Sequence, residues 1–252
     1  MQDNDDETTV RQAKQPARLV ALSDGLFATV LTLLVLDLRI PEALNADGGN
    51  VSAYVKWLGP HLFSYLLTFL VAGTYWLAHH RDFERVIDCD RRLLSYNLLF
   101  LLFVGLFPFT TAGISAGSLQ SSDFGFYWCM YAADILLAGV MLGLTWAYAV
   151  SHHLVTPDMT PEESRSIAVH QLVTPAAFLL SIVAEFLFPQ AFVGPYTLLL
   201  IPPALWAVDR KFGAADPETR SAPRSRSELL WRAGTILPWL LAIGLAVWAA
   251  MR

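Results

Sequence analysis

Polar residues inside long apolar runs are where this 252-residue chain could do chemistry. Three carboxylic acids lie in such runs: Asp24 in the first, Asp134 in the fourth and Glu185 at the outer end of the fifth. In hydrocarbon each costs a few kcal/mol unless it finds a partner or a watery cavity, so each marks an ion path, a proton relay or a structural lock. Glu185, one turn from FPQAFVGP, is expected to reach interfacial water. Asp134 stays open between a structural and a functional role. In the first run Gly25, Thr29, Thr32 and Leu36 recur at spacings of four, three and four, which puts them on one helix face. Thr29 and Thr32 there offer neutral oxygens to a partly dehydrated cation, and Leu36 with Leu33 offers a hydrophobic ring that can gate by dewetting. Glycine and threonine at this spacing equally suit close helix packing. The residues alone leave both uses open.

A second set is expected to meet at one end of the spans. Arg18, Ser23 and Asp24 open the first, His79 and His80 close the second, and Asn97 lies about a turn into the third. Trp76 precedes the histidines by three and four residues, so indole and imidazole share a face. A buried carboxylate needs charge-assisted donors, which Arg, His, Asn and the indole N–H supply. The set reads as a polar lock that fixes the first helix, with plain interfacial solvation of the histidines as the other possibility.

Catalytic arrangements find no support. The DFG at 123–125 lacks any kinase context, and Ser23, Asp24 and a histidine come without a nucleophile elbow or oxyanion device. The pairs His79–His80 and His152–His153 lack HExxH spacing, and no P-loop is present. Neither an enzyme nor a bound metal or cofactor is expected. Cys89 and Cys129 are expected to be free thiols, since no CxxC occurs.

The elements that must position these groups are apolar segments. Hydrophobic residues make up 55% of the chain and charged ones 15%, against roughly 25% charged in an ordinary soluble domain. Seven segments are expected to cross a membrane, at 19–38, 57–78, 93–114, 124–150, 167–188, 191–208 and 229–251. Each is long enough for a hydrocarbon layer of roughly 30 Å at 1.5 Å per residue. The fold class is therefore all-α, a polytopic transmembrane helical bundle. Its expected parts are a tail at 1–18, a six-helix domain at 19–208, a flexible linker at 209–228 and an accessory helix at 229–252. Trp231, Trp239 and Trp248 suit interfacial anchoring of that last helix. The opening MQDNDDETTVRQAKQ has no apolar core, so the first span is expected to act as its own insertion signal. With the tail in the cytoplasm, only Arg39, Lys56 and Arg252 of the 17 lysines and arginines fall outside, the asymmetry of a cytoplasmic N-terminus. A net charge of -5 and an acidic tail argue against nucleic acid as a partner.

The segment RLVALSDGLFATVLTLLVLDLRIP, through Arg18, Ser23, Asp24 and Gly25, resembles the RxxxFSDG signature of the TMEM175 family of potassium channels. Trp76, His79, His80, Asn97, Pro108, Phe109 and Thr110 resemble that family's tryptophan, paired-histidine, asparagine and Pro-Phe-Thr pattern. The likeness covers about the first 115 residues. It implies a passive potassium channel of the prokaryotic single-repeat form. A homotetramer in the cell membrane would surround one pore lined by the first helix, with potassium ions as the permeant partner, the lipid bilayer as surroundings and no cofactor. Under that resemblance Gly25, Thr29, Thr32, Leu33 and Leu36 are better taken as pore lining than as packing. Two positions depart from the pattern. Leu22 replaces phenylalanine, and Thr29 stands where a bulky aliphatic residue usually narrows the pore. The chain has no TVGYG filter, so selectivity falls to the threonine face and the pore width. The other candidate is a proton- or ion-coupled transporter relaying through Asp24, Asp134 and Glu185. No inverted repeat supports it, although Pro202-Pro203 keeps a broken helix in play.

Overall fold

A computed structural model describes residues 2–39, 51–116, 123–188 and 193–212, and there the chain is helical almost throughout. Helix α1 is Gln2–Leu34, continued by a 3₁₀ turn at Val35–Leu38. Then come α2, Val51–Arg85; α3, Arg91–Ala116; α4, Phe124–Ser151; and α5, Pro161–Leu187. A second 3₁₀ segment at Gly194–Leu200 leads into the short α6, Ile201–Phe212. Helices α1 to α5 each contain a stretch long and apolar enough to cross a membrane. All but the first four residues of the expected linker, and the expected seventh segment, lie outside the described residues.

The sequence leaves the conformation of the tail open, and at the sixth segment the structure differs from the expectation. The tail at 2–18 is helical and continuous with the first span, running through Pro16. The sixth segment, expected as one span at 191–208, is split between the 3₁₀ stretch and α6. The split falls where Pro202 and Pro203 occur. Proline has no N–H to donate, so it breaks a helix from within but is tolerated in the first turn of a new one.

Helix starts follow local chemistry. Asp90 caps α3, with the Leu93 N–H donating to its carboxylate at 2.8 Å. That bond, followed by one from the Tyr148 hydroxyl, holds the Asp90 carboxyl below the usual range. Thr160 caps α5 by accepting the Glu163 N–H at 3.1 Å, with Pro161 as the first residue and Glu162 and Glu163 favourably placed at the positive end. The connection after α4 is pinned to the end of α2 by a Val86–Val155 bridge and by Arg85, whose guanidinium donates to Glu163 at 2.6 Å. Cys89, in the connection between α2 and α3, is a free thiol; burial first, then Asp88, pushes it up to about 12.

Helix α3 is the hub, packing against α1, α2 and α4, while α5 packs against α4 and the sixth segment. The shared core includes Phe27, Val30, Leu67, Val71, Phe100, Val104, Phe107, Trp128, Tyr131, Ile135 and Phe178. In a bilayer the lipid tails are as apolar as this core, so close packing and interhelical hydrogen bonds must supply the specificity. Thr68 on α2 lies 2.8 Å from the Thr111 hydroxyl of α3 and donates to the Tyr131 hydroxyl of α4 at 3.1 Å. The Tyr75 hydroxyl of α2 donates to the Ile135 carbonyl of α4 at 2.8 Å.

Gly139 marks the tightest of these approaches. A Cβ there would lie 2.5 Å from the Tyr75 hydroxyl and 2.9 Å from Pro175, so α2 and α5 both press on this point of α4. Gly139→Ala should destabilise the protein by about 1–3 kcal/mol through overpacking. The check is thermal unfolding in mild detergent; Gly143→Ala, at a position with open space, serves as the control and should melt like the wild type.

Candidate functional site

Helix α1 has two faces of opposite character. Leu19, Ser23, Phe27, Val30 and Leu34 are buried against α2 and α3. Arg18, Leu22, Gly25, Thr29, Thr32, Leu33 and Leu36 are exposed. These two stripes follow the 3.6-residue period, so one helix carries both a docking side and a side with no partner inside the protomer.

The docking side is anchored by a closed triangle of polar groups. The Ser23 hydroxyl donates to the Leu19 carbonyl at 3.0 Å and lies 3.2 Å from His79 Nε2. His79 Nε2 is 2.9 Å from Asn97 Oδ1, and Asn97 Nδ2 reaches Ser23 Oγ at 3.4 Å. Because Asn97 Oδ1 can only accept, the His79 proton is assigned to Nε2. Ser23, His79 and Asn97 are 0%, 1% and 0% exposed, so α1, α2 and α3 are fastened by groups sealed from solvent. The His79 ring stacks between Phe83 and Phe100, at centroid distances of 4.4 and 5.5 Å, which fixes its plane.

Beside the triangle, the Trp76 indole donates to Asp24 Oδ1 at 2.8 Å. His80 stacks on Trp76 and pairs with Glu84 at 3.4 Å, outside the triangle. The expected seven-residue lock thus divides into three units: Ser23–His79–Asn97, Asp24–Trp76 and His80–Glu84. Arg18 joins none of them. It is exposed, with no hydrogen bond or ion pair among the described residues. The reason is geometric: Arg18 precedes Leu22 by four and Gly25 by seven, which places it on the free face instead of the docked one.

On the free face the Thr29 hydroxyl donates to the Gly25 carbonyl at 2.8 Å and Thr32 to the Thr29 carbonyl at 2.7 Å. Each hydroxyl proton is thereby committed to the helix, and the oxygen lone pairs remain for a ligand outside it. A Cβ on Gly25 would meet nothing within 4 Å, so no contact within the protomer demands a glycine there. Leu33 and Leu36, 43% and 45% exposed, continue the face toward the far end.

The other two intramembrane acids lie elsewhere. Asp134 is buried between α3 and α4, accepting the Thr110 hydroxyl at 2.9 Å. Glu185 does not reach water. It is 3% exposed and accepts the Gly194 N–H at 3.2 Å, within a clasp in which Trp128 donates to Ser181 and Ser181 to the Gly194 carbonyl. The chain folds back after α5, and its 3₁₀ segment covers the carboxyl. Among the described residues no hydrogen bond links Asp24, Asp134 and Glu185 to one another. Two acids that the sequence reading passed over also have partners. Asp37, in the turn after α1, accepts the Ser115 hydroxyl at 2.6 Å, and buried Asp82 accepts the Gln171 amide. Asp37 interrupts an apolar run, which was the available signal; Asp82 lies in the polar stretch HHRDFER, where an acid is unremarkable. Among the described residues no three His, Cys, Asp or Glu are grouped to hold a metal.

The stretch that carries the triangle and the free face, residues 18–108, matches the family described as "Endosomal/lysosomal potassium channel TMEM175". Over that stretch the chain is similar to the TMEM175 family. That is a family of channels, not of enzymes. A potassium channel of Streptomyces collinus is 27% identical over 74% of this chain and 90% of its own length. One of Chamaesiphon minutus is 26% identical over 75% and 94%. The human endosomal/lysosomal proton channel TMEM175 is 29% identical over 73% of this chain but only 38% of itself. In three dimensions the chain is similar to a crystal structure of a lysosomal potassium-selective channel TMEM175 homolog from Chamaesiphon minutus. The TM-score is 0.65 at 23% identity, covering 78% of this chain and 99% of that one. The TMEM175 fold is thus shared nearly end to end with that channel, and the matched part of this chain carries a single SDG.

Proposed function

We propose that this chain is a passive, potassium-preferring cation channel in which four copies surround one pore lined by α1. The observation that carries the proposal is the two-faced α1, buried on the Ser23 side and free on the Gly25–Thr29–Thr32–Leu33–Leu36 side. A bilayer offers hydroxyls no partners, and a symmetric assembly that turns this stripe inward removes it from lipid and gives it a watery path. Relatives named as potassium channels, matched over nine-tenths or more of their length, support the same reading.

Potassium ions are the permeant species and no cofactor takes part. The protein sits in a prokaryotic plasma membrane with its N-terminus in the cytoplasm, as the basic residues favour. Six spans form the channel domain at 19–208: the 3₁₀ stretch and α6, laid end to end, reach about 30 Å at 2.0 and 1.5 Å per residue. Residues 209–228 link that domain to an accessory span at 229–252. Ser23, His79 and Asn97, with Asp24 and Trp76, hold α1 in place and do not touch the ion. A coupled transporter is less well supported, because its three acids are tied into separate contacts.

Purified protein in liposomes decides between these mechanisms. With potassium inside and a membrane potential as the sole driving force, potassium flux should follow the electrical gradient alone. Flux that requires a second, coupled ion gradient would replace the channel with the transporter.

A further inference from the structure

Just beyond the end of the free face of α1, on the side that docks against α3, lies a half-buried carboxylate whose partner is neutral. Asp37 lies in the 3₁₀ turn one residue beyond Leu36, at the end of the helix opposite the Ser23–His79–Asn97 triangle. Its Oδ2 accepts the Ser115 hydroxyl of α3 at 2.6 Å, while its Oδ1 has no partner among the described residues and is not sealed inside the protein. Among the described residues no cation pairs with it: the ion pairs there are His80–Glu84, Arg85–Asp158 and Arg85–Glu163. Arg39 is exposed and follows on extended backbone past the turn, with no ion pair among the described residues. Every other acid described within the helices is spent on an interhelical contact, a cap or an ion pair, or sits at the opposite mouth.

We infer that Asp37 is a cation-concentrating residue at the far mouth of the pore, and that Ser115 positions it there. This rests on the reading of α1 as the pore helix. A serine hydroxyl holds the carboxylate against α3 without cancelling its charge, and each copy in the assembly contributes one such group around the exit. A ring of like charges with low-dielectric walls raises the local concentration of counter-ions. The ring discriminates cations from anions, while the neutral threonine oxygens deeper in discriminate potassium from sodium. The two tasks belong to different residues of one helix.

Salt dependence tests the assignment, because the Debye length shrinks from about 30 Å at 0.01 M to about 3 Å at 1 M. Single-channel current of the full chain is recorded in planar bilayers with potassium chloride at both concentrations. Asp37→Asn keeps an acceptor for Ser115 and so preserves the tie to α3. It should lower the current at the low concentration roughly tenfold, the small end of the gain that a one-signed mouth gives to counter-ion arrival. At the high concentration it should match the wild type. Asp37→Glu should restore the low-salt current, and Ser115→Ala should lose part of it with no change at high salt. An equal loss at both concentrations, or no loss at either, would overturn the inference. A wild-type chain that carries no current at all would instead overturn the channel proposal itself.

Discussion

His79→Ala should cost more stability than any other single substitution in the polar cluster, about 3–5 kcal/mol. It removes an aromatic ring stacked between Phe83 and Phe100, and it strands Ser23 and Asn97 without the group that joins them. Truncating a buried ring leaves a cavity, and a buried polar atom left without its partner adds its own desolvation cost. Against a typical total of about 5–15 kcal/mol this is a large fraction. For a chain of this length the melting temperature should fall by roughly 10 °C. Asp24→Ala loses one bond to an indole that is itself partly exposed, and should cost about 1 kcal/mol. Arg18→Ala removes no contact inside the protomer and should lie within about 0.5 kcal/mol of the wild type. Thermal unfolding of the three variants in mild detergent checks the order. A His79→Ala protein that melts with the wild type would mean that the triangle does not hold α1.

That ranking departs from what the sequence alone suggests. From spacing, Arg18 and Asp24 look like the heart of the lock, because charges are the conspicuous groups in an apolar run. The structure puts the weight on three uncharged residues, since only neutral groups can be sealed at 0–1% exposure without a large desolvation penalty. The two faces of α1 were legible, because helical periodicity depends on the chain alone. Long helices were legible for the same reason, from residue 51 to the end of α5. Partners were not. That Glu185 meets Gly194 depends on how the chain folds back after α5, and that Asp37 meets Ser115 depends on how α1 docks beside α3. Neither is written in local spacing. The break in the sixth segment was half visible in Pro202-Pro203, which marks where a helix cannot continue but not that another begins there.

The second large effect concerns ion choice. Thr32→Val keeps the side-chain shape and removes the oxygen whose lone pairs face the free side of α1. Potassium sheds water more easily than sodium, so a ring of neutral oxygens in a path otherwise lined by leucine favours potassium. Losing about 1 kcal/mol of that preference, the order of one hydrogen-bonding group, should reduce the potassium-to-sodium permeability ratio about fivefold. Thr29→Ile acts differently. It adds bulk one turn nearer the triangle on the proposed pore face, so the current should fall with selectivity kept. Reversal potentials and currents under bi-ionic conditions read both effects. Thr32→Val with an unchanged ratio would assign the threonines to helix packing.

The most direct test asks whether the free face of α1 borders the ion path at all. With Cys89 and Cys129 replaced by serine, Thr29→Cys and Phe27→Cys place single thiols on the two faces of the same helix turn, one exposed and one buried. A positively charged thiol reagent is applied while potassium current is recorded in a planar bilayer. If α1 lines the pore, the current through Thr29→Cys falls to near zero as the reagent reacts, and the current through Phe27→Cys does not change. A Thr29→Cys channel that is fully modified and conducts as before would contradict it.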